Sequence, residues 1–175
     1  MSVYALILCG GSGTRMGGAG NKTLLPVGGM PAIVRSVRAF EGLTDGAVLV
    51  TRAGEEALFS DTLAAYGLAV SAIVPGGADR QASALCGLRA LPADADIVLI
   101  HDGARPCVRR ETIAAVMDSV KAHGSGVAAV GARDTIKRAD SNGLVIETPD
   151  RATLYQVQTP QGFRVSELLA AHARA

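Results

Sequence analysis

The chain has 175 residues, 49% of them apolar and 19% charged, which is enough to bury a core and excludes a disordered chain. A net charge of +1 gives no electrostatic pull toward nucleic acid or an anionic membrane surface. No apolar run approaches the roughly 20 residues of a membrane span. Cys9, Cys86 and Cys107 are odd in number and lack C-x-x-C spacing, so a reducing, cytoplasmic setting is expected, without a disulfide frame or zinc site. The first strand is expected to begin so early that it leaves no room for a signal peptide.

Residues 3–8 are a short apolar run of strand formers and predict a buried β-strand. It runs into Cys9-Gly10-Gly11-Ser12-Gly13-Thr14-Arg15-Met16-Gly17, with Asn21-Lys22 beyond. Glycines there let the backbone turn sharply and approach a ligand, and bare N–H groups can face phosphate oxygens. Arg15 and Lys22 supply two spaced cations. Together these features suit a polyphosphate. The dinucleotide fingerprint fits poorly, because the third glycine is late and the second strand ends in Thr51-Arg52 rather than an acid. The Walker A loop also fits poorly, because Asn21, not glycine, precedes Lys22-Thr23. A plain glycine-rich turn remains the alternative.

Residues 31–43 predict a helix with Pro31 at its first position. Residues 47–51 predict a second strand, 55–66 a helix closed by Gly67, and 68–74 a third strand. Alternating strands and helices imply an α/β fold: a Rossmann-like, mostly parallel twisted sheet flanked by helices, in one domain over residues 1–175. Pro75-Gly76-Gly77-Ala78 then leads into a helix over about residues 81–91. In such sheets ligands bind at the carboxyl ends of the strands. Gly76, Gly77 and the backbone near Ala78 can therefore face the edge of a base, and Ser83 can add a hydrogen bond.

A fourth strand over residues 95–100 ends in His101-Asp102-Gly103-Ala104-Arg105-Pro106. Asp102, at the mouth of a buried strand, can hold Mg²⁺ between nucleotide phosphates or contact a ribose hydroxyl. It can also pair with Arg105 and only shape the turn. His101 reads as a buried, hydrogen-bonded imidazole. Residues 110–123 predict a helix capped by Gly124, and 126–132 a fifth strand. Residues 134–148 then alternate polar and apolar around Asn142-Gly143, a hairpin signal that predicts an arm over about residues 134–152. Such a projecting β-hairpin arm has little core of its own, and a second subunit is the economical partner. A strand over residues 153–158, the segment Thr159-Pro160-Gln161-Gly162-Phe163 and a helix from 165 to 172 complete the reading.

The first loop resembles that of the nucleotide-sugar pyrophosphorylase superfamily of nucleotidyltransferases. Gly11 to Met16 with Lys22, Gly76-Gly77-x-x-Arg80-x-x-Ser83, residues 101–106, Asp134-Thr135-Ile136-Lys137 and residues 159–163 narrow it further. In this order they closely resemble the 2-C-methyl-D-erythritol 4-phosphate cytidylyltransferases, over nearly the whole chain. The resemblance implies transfer of CMP from CTP to 2-C-methyl-D-erythritol 4-phosphate with release of pyrophosphate, in non-mevalonate isoprenoid precursor synthesis. It implies a divalent cation, usually Mg²⁺, and a homodimer whose hairpin arms complete the partner's site. Carried over by position, Arg15 and Lys22 stabilise the transition state. Cys9, Gly10, Gly11, Gly13, Gly77, Ala78, Ser83 and Asp102 bind nucleotide, Asp102 also being the metal contact. Thr135, Arg151 and Arg105 position substrate.

Two departures stand out. Cys9-Gly10 replace the family's usual Ala-Ala, a small-for-small change. The resemblance also implies a further strand and helix, bearing an active-site lysine, beyond Ala175. A chain ending there is expected to position substrate weakly and to leave a sheet face uncovered. Two alternatives stay open. Ribitol 5-phosphate cytidylyltransferases share most of these segments but more often read His-Asp-Ala-Val-Arg-Pro at 101–106. A non-catalytic nucleotide-binding protein would bind CTP without releasing pyrophosphate.

Overall fold

A computed structural model describes residues 1–11 and 20–174. Its centre is a six-stranded sheet of order β5-β4-β1-β6-β10-β7. These strands are β1 (Ser2–Leu8), β4 (Gly46–Thr51), β5 (Ala72–Pro75), β6 (Ala95–Asp102), β7 (Ser125–Gly131) and β10 (Tyr155–Arg164). β4, β5 and β6 run parallel to β1, directly or through a neighbour, and β10 runs antiparallel between β6 and β7. The short pairs β2 (Pro26–Val27) with β3 (Met30–Pro31), and β8 (Arg138–Ala139) with β9 (Val145–Glu147), lie outside it.

Period-two alternation explains the layering. Ala5, Ile7, Leu49, Ile97 and Leu99 face one side. There they meet Ile33, Val37 and Phe40 of α1 (Ala32–Phe40), Phe59 and Leu63 of α2 (Glu56–Ala64), and Ile113 and Val120 of α4 (Arg110–His123). Leu6, Val48, Val50, Val98 and Ile100 face the other side, against Ala84 and Leu88 of α3 (Arg80–Arg89) and Val165 of α5 (Val165–His172). Strands buried on both faces read as continuous apolar runs, which is why the sequence reveals them. Each fully buried Leu, Ile or Phe contributes about 1.5–3 kcal/mol.

Three expectations need correction. The helix from Pro31 starts at Ala32 and ends at Phe40, because Met30–Pro31 first pairs with Pro26–Val27 across Gly28-Gly29, at φ +57° and +76°. Arg35 fastens this hairpin by donating to Val27 O at 2.6 Å and Gly28 O at 2.9 Å. The third strand begins at Ala72, not 68, because Gly67 (φ +71°) and Leu68 close α2, with Leu68 N–H donating to Leu63 O at 3.1 Å. The strand expected to stop at Gln158 runs on to Arg164 through a cis Thr159–Pro160 bond. Its register against β7 shifts between Val157 and Gln161, which accommodates a proline that has no N–H to give.

The hairpin arm forms around Asn142-Gly143, with Gly143 at φ +82°. The Asp140 carboxylate accepts the N–H groups of Asn142 and Leu144, each at 2.9 Å. Leu144, Val145 and Ile146 are 66%, 59% and 63% exposed, so the arm has no core of its own. No helix of the described residues is long and apolar enough to cross a membrane.

Candidate active site

The chain goes from β1 to one side of the sheet for β4 and β5, then crosses through α3 to the other side for β6. The crevice beyond the carboxyl ends of β1 and β6 is therefore the topological switch point, where open α/β sheets bind ligands. A cleft of about 860 Å³ opens there. Leu8, Gly10 and Gly11 from the end of β1, Lys22 and Thr23, the 77–83 segment, Asp102, Ala104 and Arg105 line it. Eight of the residues expected from sequence meet here: Gly10, Gly11, Lys22, Gly77, Ala78, Ser83, Asp102 and Arg105. Arg15 and Gly13 lie outside the described residues.

Local physics builds each wall. Asn21 caps the short 3₁₀ turn Lys22–Leu24: its Oδ1 accepts from Thr23 N–H at 3.1 Å and from the Thr23 hydroxyl at 2.8 Å. Its Nδ2 donates to Cys9 O at 2.7 Å and Glu55 Oε2 at 2.8 Å, so every polar group of this buried amide is used. Lys22 leaves that fixed turn beside Gly11, whose missing Cβ would sit 3.7 Å from Lys22 Cε. On the opposite wall Asp79 caps α3 by accepting from Ala82 N–H at 2.7 Å. The positive end of the α3 dipole thus faces the cleft and favours an anion.

Gly76 and Gly77 are glycines for lack of room: a Cβ on Gly76 would lie 2.7 Å from Ser83 Oγ, and one on Gly77 3.0 Å from the Ala82 carbonyl carbon. Ser83 Oγ accepts the Gly77 N–H at 3.1 Å, so its first task is holding this turn.

Asp102 sits between two guanidiniums. Arg105 Nε donates to its Oδ2 at 3.1 Å, and Arg80 approaches Oδ1 at 3.4 Å. The pair with Arg105 does shape the turn, yet the carboxylate still lines the cleft. Lys22, Arg80 and Arg105 outnumber Asp79 and Asp102 on the described lining, leaving a positive surplus for phosphates. Gly103 permits the turn: a Cβ there would lie 2.7 Å from Cys9 Sγ and 3.2 Å from Leu8 O.

His101 is fully buried, as its sequence context implies. Its Nε2 lies 3.1 Å from Arg105 O and its Nδ1 3.0 Å from Thr159 Oγ1. Burial pushes its pKa down to about 4, so the ring is neutral at pH 7.

Three expected site residues lie elsewhere in this chain. The Cys9 thiol packs into the core, where burial raises its pKa far above the ordinary value, and its carbonyl is taken by Asn21 Nδ2 at 2.7 Å. Its N–H is committed to Val50 O at 2.7 Å. Thr135 and Arg151 are exposed near the arm and do not line the cleft, and Arg151 donates instead to Arg133 O at 3.1 Å. Sequence reasoning also overlooks Asn21, Arg52, Glu55 and Thr159. Asn21 beside Lys22 was an available signal, since Asn is a strong helix-capping residue, and Thr159 heads the 159–163 segment.

A mostly parallel sheet with a phosphate-suited cleft at its switch point defines a Rossmann-like nucleotide-binding protein. A family model described as 2-C-methyl-D-erythritol 4-phosphate cytidylyltransferase matches residues 3–175, and the chain belongs to that family. The enzyme of that name from Geobacillus thermodenitrificans is 41% identical over 179 residues, covering 100% of this chain and 77% of the relative. The one from a Synechococcus species is 42% identical over 175 residues, covering 99% and 77%. Among solved structures, 4-diphosphocytidyl-2C-methyl-D-erythritol synthase from Anaerococcus prevotii superposes with a TM-score of 0.86 at 27% identity, over 99% of this chain and 75% of that one. The cytidylyltransferase from Thermus thermophilus gives 0.76 at 30% identity, over 100% and 76%.

Proposed function

We propose that this chain transfers the cytidylyl group of CTP to 2-C-methyl-D-erythritol 4-phosphate, releasing pyrophosphate, in the non-mevalonate route to isoprenoid precursors. The observation that carries the reading is the cleft itself. Lys22 on one wall and the Arg80–Asp102–Arg105 cluster on the other converge on the glycine-rich end of β1. Family membership favours methylerythritol phosphate over ribitol phosphate as acceptor.

A phosphate oxygen of the acceptor attacks the α-phosphorus of CTP. The new P–O bond forms as the bond to the β-phosphate oxygen breaks, and the electron pair leaves with pyrophosphate. The attacking phosphate is already ionised, so no general base is needed. Negative charge concentrates at the reacting centre, and Lys22 with Arg15 offsets it. Gly77 and Ala78 face the base, Ser83 holds their turn, and Asp102 faces the ribose.

The donor set suits a metal that arrives with the nucleotide rather than one caged by protein. Among the described residues no three His, Cys, Asp or Glu side chains cluster, and Asp102 is the carboxylate at the strand end of the cleft. Mg²⁺ binds in this way, through one or two carboxylates and substrate phosphates. Asp102 would hold it, and the ion would neutralise triphosphate charge.

Thr135 and Arg151 fit the reading as residues lent to a second subunit. A homodimer through the arm is supported by apolar exposure: Leu144, Val145 and Ile146 on the arm, and Val127, Val157 and Tyr155 on one face of β7 and β10. Sedimentation over a dilution series is expected to give a dimer; a monomer at every concentration would remove this part. The free cysteines suit a reducing cytoplasm.

Pyrophosphate release from CTP and Mg²⁺, run with methylerythritol 4-phosphate, with ribitol 5-phosphate and with no acceptor, tests the function. Release with methylerythritol phosphate alone is expected. Release only with ribitol phosphate would keep the chemistry and overturn the acceptor, and CTP binding without release would mark a binding protein.

A further inference from the structure

One ion pair outside the cleft grips both ends of the glycine-rich loop. Arg52, just after β4, donates from Nη2 to Gly11 O at 2.8 Å and from Nε to Gly10 O at 3.4 Å. Its Nη1 lies 3.7 Å from Glu55 Oε1, and the other Glu55 oxygen accepts from Asn21 Nδ2 at 2.8 Å. Asn21 directly precedes Lys22 and ties itself to Cys9 O. The chain therefore leaves β1 under Arg52 and arrives at Lys22 under Glu55. Neither Arg52 nor Glu55 lines the cleft.

This arrangement has a direction. The peptide joining Gly10 to Gly11 is planar and trans, so drawing the Gly10 carbonyl toward Arg52 turns the Gly11 N–H to the opposite side. A guanidinium can span two adjacent carbonyls and a carboxylate because its five donors are fixed in a plane on three nitrogens, whereas a lysine has one nitrogen and no such fork.

We propose that Arg52 and Glu55 are positioning residues for cytidylyl transfer: the pair fixes the Gly10–Gly11 backbone and the root of Lys22 relative to each other. The proposal rests on the functional reading above. A small displacement of positioned groups costs the chemical step heavily, up to about 10²-fold. Both side chains are partly exposed, at 35% and 21%, so their loss should disturb the loop more than the core.

The test uses Arg52→Gln, Glu55→Gln and the double variant in the whole chain. Expected are a kcat lowered by about 10²-fold with the KM for methylerythritol phosphate unchanged, and Arg52→Lys no better than Arg52→Gln. The double variant should lose no more than Arg52→Gln alone, because the pair acts as one device. Hydrogen–deuterium exchange should rise in peptides spanning residues 10–22 and nowhere else. Exchange unchanged in that stretch, kcat unchanged, or losses that add in the double variant would each overturn the proposal. Should Arg52→Gln fail to fold, Glu55→Gln carries the same readouts. If the unaltered chain transfers no cytidylyl group, the functional reading falls, while unaltered exchange in the variants would separately refute the clamp.

Discussion

Thr159 Oγ1 on β10 lies 3.0 Å from His101 Nδ1 on β6 and accepts the Asp102 N–H at 3.3 Å. One arrangement of protons satisfies the whole chain of contacts. Asp102 N–H donates to the hydroxyl, the hydroxyl donates to Nδ1, and Nε2–H donates to Arg105 O, which holds His101 neutral in a single tautomer. The turn carrying Asp102 and Arg105 is thereby fixed from beneath.

A pH dependence follows. The folded-state pKa of His101, about 4, lies below its ordinary 6.5, so between those limits the unfolded chain binds more protons. The stabilisation from neutral His101 is complete above pH 6.5 and is lost as pH falls through about 4. The unfolding free energy from urea titrations should decline across that window by an amount on the order of 3 kcal/mol. His101→Gln should flatten this part of the profile, and an unchanged slope would contradict the assignment.

Thr159→Val removes the hydroxyl while keeping its shape. It strands the Asp102 N–H and His101 Nδ1 without a partner, so a loss of about 1–3 kcal/mol is expected in urea unfolding. Unchanged stability would show that water replaces the hydroxyl.

Lys22 tests the electrostatics. Lys22→Met should lower kcat by about 10²–10³-fold, by analogy with loss of one transition-state donor. Thermal unfolding should scarcely move, because the Lys22 amine lines the cleft and Asn21 still caps the turn. Steady-state kinetics beside a melting curve separates the two effects.

Gly103 and Cys9 form a size-matched pair. Gly103→Ala would press a methyl against Cys9 Sγ and should cost about 1–3 kcal/mol. Cys9→Ala vacates that space, so the double variant should recover part of the loss in a double-mutant cycle. Strict additivity would place the strain at Leu8 O or Ile33 instead.

What could be read from sequence was local. Residues 110–123 with Gly124 were legible because an amphipathic repeat ends at a glycine that adopts φ +83°. Gly10, Gly77 and Asp102 were legible as cleft-lining residues because a glycine or acid at the end of an apolar strand has few structural reasons to be there. The antiparallel place of β10 was not legible, since pairing with β6 and β7 is non-local and Thr159-Pro160 interrupts the strand pattern. Arg52 and Glu55 were illegible for a related reason: they reach Gly10, Gly11 and Asn21 only once β4 lies beside β1. Thr135 and Arg151 matched the family by position, but in this chain they sit away from the cleft.

The most direct test of cytidylyl transfer is ³¹P NMR of the chain with CTP, Mg²⁺ and methylerythritol 4-phosphate. The account predicts that the triphosphate and monophosphate signals decay together as a diphosphodiester pair and pyrophosphate appear in equal amounts, and that Lys22→Met slows all of these changes alike. Persistence of both substrates while CTP is bound, or release of phosphate without a diphosphodiester, would contradict it.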